Sequence, residues 1–174
     1  MAFISISITK NHPLILGKGG FGRQLADWLS AEGWGEAEFL DDSAPGCVGG
    51  RRDYADPKLL KPGRPAFVAL GDNALRVELL QKLAAAGYDT PVFISDMAAV
   101  SPSAVLEPGC VILPQAYVGA DAHLGVGCII NGGAIVDHDA VLGRGVHVAP
   151  GGIVKAGAEV EALTKVDSGE IIKK

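Results

Sequence analysis

Residues 124–154 read LGVGCIINGGAIVDHDAVLGRGVHVAPGGIV, and within them an aliphatic residue returns at every sixth position. Followed outward, the beat holds without a miss at Ile94, Val100, Leu106, Ile112, Val118, Leu124, Ile130, Val136, Leu142, Val148, Val154 and Val160. Four residues after each anchor from Ile94 to Val154 stands a second column, Ala98, Ala104, Cys110, Ala116, Ala122, Cys128, Ala134, Ala140, Val146, Gly152 and Ala158, in which only Val146 is bulky. A period of six is neither the 3.6 of a helix nor the 2 of a flat strand. It fits a coil of short parallel strands in which each hexapeptide forms one side of a triangle and its corner, the anchor pointing in and the small residue filling the bend. Residues 94–159 make eleven hexapeptides, roughly 3.7 turns at three sides per turn. Spacing alone does not fix the hand of the coil.

Around the coil, composition sets limits. The chain has 174 residues, 48% hydrophobic and 20% charged, which describes a soluble protein of one or two domains. Its 24 glycines, about twice the usual share, suit a turn-rich repeat. A net charge of −5 without a Lys/Arg cluster argues against nucleic acid or an anionic membrane as partner. No long apolar run and no basic leader followed by one is present, so a cytoplasmic protein is expected. Cys47, Cys110 and Cys128 form no metal-type pair, and the last two read as reduced packing residues in the small column.

Upstream of the coil the pattern changes. FISISI (3–8) alternates like a half-buried strand, and PLIL (13–16) runs as a buried strand into Gly17-Lys18-Gly19-Gly20-Phe21-Gly22. A helix follows, with Leu25, Trp28 and Leu29 on one face. Strand, glycine loop and helix together make a place where backbone N–H groups can meet a phosphate. EAEFL forms a second strand ending at Asp41 and Asp42, acids placed to accept bonds from a ribose or base. After a long Gly- and Pro-rich connection (43–65), AFVALGDN gives a third strand ending in Gly71 and Asp72, and ALRVELLQKLAAAG a helix with an apolar stripe at Leu75, Leu79, Leu80 and Leu83. The expectation is a compact α/β unit of about four parallel strands, too short for two mononucleotide halves and suited to one nucleotide.

GKGGFGRQLADWL, FLDD, ALGDNALR, VSPSAVLEPGCVI and above all INGGAIVDHDAVLGRGVHVAPGG resemble the NeuD/PglD-type sugar acyltransferases, from residue 14 to about 157. The resemblance implies a Rossmann-like α/β domain over 1–93, a left-handed parallel β-helix over 94–161, and a C-terminal tail over 162–174. It implies transfer of an acetyl group from acetyl-CoA to a nucleotide-linked amino sugar or a sialic acid, in a homotrimer engaged in surface-polysaccharide or glycan synthesis. Carried over residue by residue, Gly17, Gly19, Gly20, Gly22, Asp41, Asp42, Gly71, Asp72 and Asn73 would hold the nucleotide. His138 would be the general base and Asp139 the group that orients it, while His147 and Gly157 would lie with the acetyl-CoA. Three departures stand out. Phe21 replaces a family histidine, SDMAAV replaces an HPSAVV-like stretch, and about two turns usual beyond Gly157 are expected to be absent, EALTKVDSGEIIKK resembling the strand that follows a complete helix.

Those missing turns motivate an alternative, a non-catalytic nucleotide-sugar-binding or assembly protein. A zinc enzyme using His123, His138 and His147 is disfavoured because these histidines lack close pairing, and His123 reads as structural. A nicotinamide oxidoreductase is disfavoured because the α/β region runs out of strands before Ile94. No metal is expected.

Overall fold

The computed structural model describes residues 12–59 and 61–174, so the alternating stretch 3–8 lies outside the described residues. The amino-terminal lobe is a parallel sheet in the order β2-β1-β3, built from β1 (Leu14–Leu16), β2 (Glu38–Leu40) and β3 (Ala66–Val68). Every residue of β1 and β3 is buried, because helices cover both faces. Ile15 and Phe67 point toward Leu25 and Leu29 of α1 (Gly20–Ala31). Leu14, Leu16 and Val68 point toward Leu79, Leu80 and Leu83 of α2 (Asn73–Ala85).

The lobe has three strands among the described residues, not the four expected. The apolar run at Val92 does not join it: β4 (Phe93–Ile94) pairs instead with Val111–Ile112 and opens the coil.

From β4 to β17 (Ile171–Ile172), two-residue strands wind a parallel β-solenoid of three sides holding five, five and four strands. Each residue pairs with the one eighteen positions on, as in Val111 with Ile129 and Ile129 with His147. The anchors from Ile112 to Val166 are buried and form one column with the small residues Cys110 to Ala158. Each contributes about 1.5–3 kcal/mol of burial, enough to order a segment otherwise rich in Gly, Pro and Asp. The first anchors are an exception: Ile94 is 41% exposed, because no turn stacks beneath the first one.

The tail expected over 162–174 is corrected as well. Lys165–Val166 pairs with His147–Val148, and Ile171–Ile172 with Ile153–Val154, so the coil runs on through this segment. The anchors Val166 and Ile172 keep the sixfold beat, and what fails is the small column, where Thr164 and Glu170 stand.

The lobe covers one side of the prism and one corner. On the first side the outward residues Phe93, Val111 and Ile129 are buried beneath Ile15, Leu25 and Phe67. Helix α2 lies along the corner formed by Gly109, Gly127, Gly145 and Leu163, all in the left-handed backbone region. Leu80 and Val77 of α2 rest on these turns, and the Asn73 side-chain amide donates to the Leu163 carbonyl at 2.8 Å. The other two sides present exposed apolar residues, Tyr117, Ile135 and Ile171 on one, Val105 and Val141 on the other. Among the described residues no helix is long and apolar enough to cross a membrane.

Candidate active site

The corner between those two uncovered sides carries His138. Val136 ends its strand pointing inward, and residues 137–140 turn the chain, so the imidazole stands outward with 57% of its side chain exposed. The His138 backbone N–H donates to Asp137 Oδ1 at 2.8 Å. His138 Nδ1 lies 2.7 Å from Asp139 Oδ2. An ionised carboxylate only accepts, so Nδ1 carries the proton and the Nε2 lone pair faces solvent. The Asp139 hydrogen bond, reinforced by the charge of Asp137, raises the His138 pKa above the ordinary 6.5.

Neighbouring turns fix this corner. A Cβ on Gly119, one turn below, would lie 2.5 Å from the His138 backbone nitrogen, so only glycine lets the two turns stack so closely. One turn above, the Gly157 N–H donates to the His138 carbonyl at 2.9 Å. His138, Asp139 and Gly157 are therefore together.

The glycine loop lies in the lobe. Gly17 has φ +101°, and a Cβ on Gly22 would lie 1.9 Å from the Gly17 carbonyl oxygen, so these two glycines make the tight entrance to α1. Gly19 caps α1 without any side-chain bond, and Gly19 and Gly20 face open space. The first N–H groups of a twelve-residue helix are thus presented outward.

The acids expected around a nucleotide are already engaged. Asp41 accepts from the backbone of Lys18, Ser43 and Ala44, which holds its carboxyl far below the usual range and ties the glycine loop to the turn after β2. Asp42 accepts from Arg51 Nε at 2.7 Å and from the Arg51 backbone. Asp72 caps α2 by accepting from the Leu75 N–H, and Asn73 joins α2 to the coil. Gly71 faces open space. A cleft of about 490 Å³ opens here between α2 and the turn after β2, lined by Asp42, Arg51, Tyr54 and Lys82. A larger one of about 750 Å³, lined by Glu38, Arg64 and Pro65, opens at the amino ends of the strands, the end where ligands of parallel sheets do not bind.

His147 belongs to the covered side, not to the His138 corner. It follows Phe93, Val111 and Ile129 in the outward row of the first side, where the lobe's cover ends, with Lys165 next. Burial and then the charges of Arg76 and Lys165 push its pKa down to about 4, so it is neutral at pH 7. Asn131 Oδ1 takes the Gly132 N–H, which turns Asn131 Nδ2 toward His147 Nε2 at 3.4 Å, and the buried Nδ1 has no hydrogen-bond partner among the described residues.

Within one chain the site residues thus fall into two groups. The glycine loop, Gly71 and His147 lie on the lobe's side of the prism; His138, Asp139 and Gly157 lie at the opposite corner. His123, by contrast, pairs with Glu107 at 3.0 Å. Among the described residues no three His, Cys, Asp or Glu side chains gather as a metal site.

Sequence reading passed over Arg76, Asn131 and Gly119. Arg76 carried a signal: it shares a helical face with Leu80 and Leu83 and so had to be buried.

Residues 14–83 match the family model of the PglD N-terminal domain. The chain superposes on the acetyltransferase domain of PglB from Neisseria gonorrhoeae with a TM-score of 0.83 and 30% identity, over 94% of this chain and 91% of that one. The same domain in complex with acetyl coenzyme A gives 33% identity and a TM-score of 0.76, over 93% and 87% of the two chains. PerB from Caulobacter crescentus, in complex with CoA and GDP-perosamine, gives 28% identity and a TM-score of 0.80, over 94% and 89%.

Proposed function

Because this chain belongs to the NeuD/PglD-type family of sugar acyltransferases and uses acetyl-CoA as co-substrate, we propose that it acetylates the amino group of a nucleotide-linked sugar in glycan synthesis, with His138 as general base. The observation that carries this reading is the His138–Asp139 pair on an exposed corner, its Nε2 without a hydrogen-bond partner among the described residues and its basicity raised.

As the sugar nitrogen attacks the thioester carbonyl carbon, His138 Nε2 takes its proton. The tetrahedral intermediate collapses with loss of the CoA thiolate, which recovers the proton, leaving the amide and free CoA. Such base assistance is worth about 10² to 10⁴ in rate. Asp139 holds the ring in the required tautomer and stabilises the imidazolium.

In this account the α/β lobe is Rossmann-like and binds the nucleotide diphosphate at the open start of α1, with Gly17, Gly19, Gly20 and Gly22 shaping the loop and Gly71 beside it. Asp41, Asp42, Asp72 and Asn73 act one step back, by fixing that loop and α2. The coil is left-handed, as in the family, and acetyl-CoA lies along it near Gly157 on one copy and His147 on another.

The two groups of residues meet only between copies. The apolar sides flanking His138 are exposed, with Tyr117 at 44% and Val141 at 44%, and burying them against another subunit brings one copy's His138 to another's lobe. A cyclic homotrimer satisfies this with identical contacts. The binding-only alternative rested on about two turns missing beyond Gly157, and the strands through Ile172 add just under one turn of coil there.

The test is release of CoA thiol from acetyl-CoA with a panel of GDP-, UDP- and dTDP-linked amino sugars, GDP-perosamine included, and sialic acids as the competing class. Release with an amino sugar supports the reading. Silence with every nucleotide sugar overturns it.

A further inference from the structure

Helix α2 buries one long charged side chain, which the chemistry above does not use. Arg76 is 1% exposed, and its hydrogen-bond partners are three backbone carbonyls and an amide oxygen. Nη1 donates to the Leu70 carbonyl just past β3 at 2.8 Å. Nε donates to the Gly127 carbonyl at 2.9 Å and Nη2 to the Gly145 carbonyl at 2.7 Å, on two successive corners of the coil. Nη2 also donates to Asn73 Oδ1 at 2.8 Å, and Asn73 in turn donates to the carbonyl of Leu163 on the next corner.

Burying a charge is costly, and burial depresses the Arg76 pKa to about 10, still well above neutrality. An apolar side chain would fill the same space without that cost. What the guanidinium adds is a rigid fork that meets acceptors from both lobe and coil at once, something neither lysine nor a hydrophobe can do. The join lies at the carboxyl end of β3, beside the glycine loop, where a Cβ on Gly17 would touch Ala69 and Leu70. A rotation of the lobe about this end would move a bound nucleotide sugar relative to the coil, and small misplacements of a reacting group cost much rate.

We propose that Arg76 is a positioning residue for acetyl transfer, bolting the nucleotide-binding lobe onto successive corners of the coil in the one orientation that delivers the bound sugar to the thioester. This rests on the acetyl-transfer reading given above.

The test uses full-length Arg76→Met and Arg76→Lys. Three quantities are read: steady-state kcat and KM for acetyl-CoA, thermal stabilisation by CoA alone and by GDP or UDP alone, and hydrogen exchange over 66–77. Both variants should still be stabilised by each ligand alone, since each binds to one part. In Arg76→Met, kcat should fall at least about tenfold while KM for acetyl-CoA stays within about twofold, with Arg76→Lys falling less. Exchange over 66–77 should quicken while the coil around 110–130 stays protected.

Parental kcat in Arg76→Met, a loss of CoA stabilisation matching the loss of rate, or unchanged exchange over 66–77 would each overturn the assignment. Should Arg76→Met not fold, Asn73→Ala removes the bond to Leu163 and one Arg76 partner, and it should show the same pattern more weakly; parental kcat and exchange there overturn it equally. An inactive wild type sinks the acetyl-transfer reading itself, whereas an active wild type whose Arg76→Met form keeps its kcat sinks this inference alone.

Discussion

Asp139 holds the ring of His138 from the adjacent position, Oδ2 to Nδ1 at 2.7 Å, and does so from a backbone at φ +58° that non-glycine residues seldom adopt. The left-handed turn is what swings the carboxylate beside the ring. His138→Ala should therefore lower kcat by about 10² to 10⁴ while leaving the melting temperature within a degree or so of the parent, since the imidazole is mostly exposed. Parallel thiol-release and thermal-melt measurements check both halves of the expectation.

The pH profile follows from the same pair. A base must be neutral to act, so kcat should rise with pH through the His138 pKa, and that midpoint lies above 6.5 because Asp139 and Asp137 favour the protonated ring. Asp139→Asn removes the larger cause, so the acidic limb should move down in pH while the maximal rate falls. A limb that stays in place in Asp139→Asn would assign it to another group.

His147 should make the fold acid-sensitive. Its folded pKa, about 4, is depressed below the ordinary 6.5, so the unfolded chain binds a proton between those values that the native state does not. Stability is present in full above about pH 6.5 and falls as the pH drops toward 4; because the ring is partly exposed, the loss is discounted to about 1–3 kcal/mol. Denaturant melts of His147→Gln at pH 4.5 and 7.5 should differ by less than those of the parent.

Gly119→Ala tests the stacking beneath the base. The new Cβ would meet the His138 nitrogen at 2.5 Å and the Asp137 carbonyl carbon at 2.8 Å, both backbone atoms that cannot swing aside. A destabilisation of about 1–3 kcal/mol is expected, with a loss of kcat beyond it because the corner carrying His138 must shift. Chemical denaturation and thiol release on the same preparation measure the two effects.

The exposed sides make a separate prediction. Ile135→Glu places a charge amid Tyr117 and Ile153 on an outward face and spares the buried column. Light scattering should then report a mass near the 17.9 kDa of one chain with a native melt of the coil, and activity should vanish with the assembly.

The coil was legible because its physics repeats: one inward position in six must be aliphatic, and a dozen repetitions leave no other period. Its end was misread because Thr164 and Glu170 break the small column while Val166 and Ile172 keep the anchors, and the anchors are what bury area. The lobe's loop and helices were legible from their local signals. The partners its acids take within the chain were not, because Asp41 and Asp72 accept from backbone N–H groups and Asp42 from Arg51, choices set by turn geometry that residue identity does not encode. Nor could one sequence show that His138 and the glycine loop lie on opposite sides of one prism, since that depends on which side the lobe covers.

That separation is the centre of the account, and subunit mixing tests it most directly. His138→Ala removes the base, and Gly20→Glu places a carboxylate in open space where the phosphate would sit, each variant being folded and inactive by itself. Co-assembled in equal amounts, they should regain about a quarter of the parental rate, because a site formed between neighbours is whole when an intact His138 meets an intact lobe. Activity no greater than that of the separate variants would contradict it.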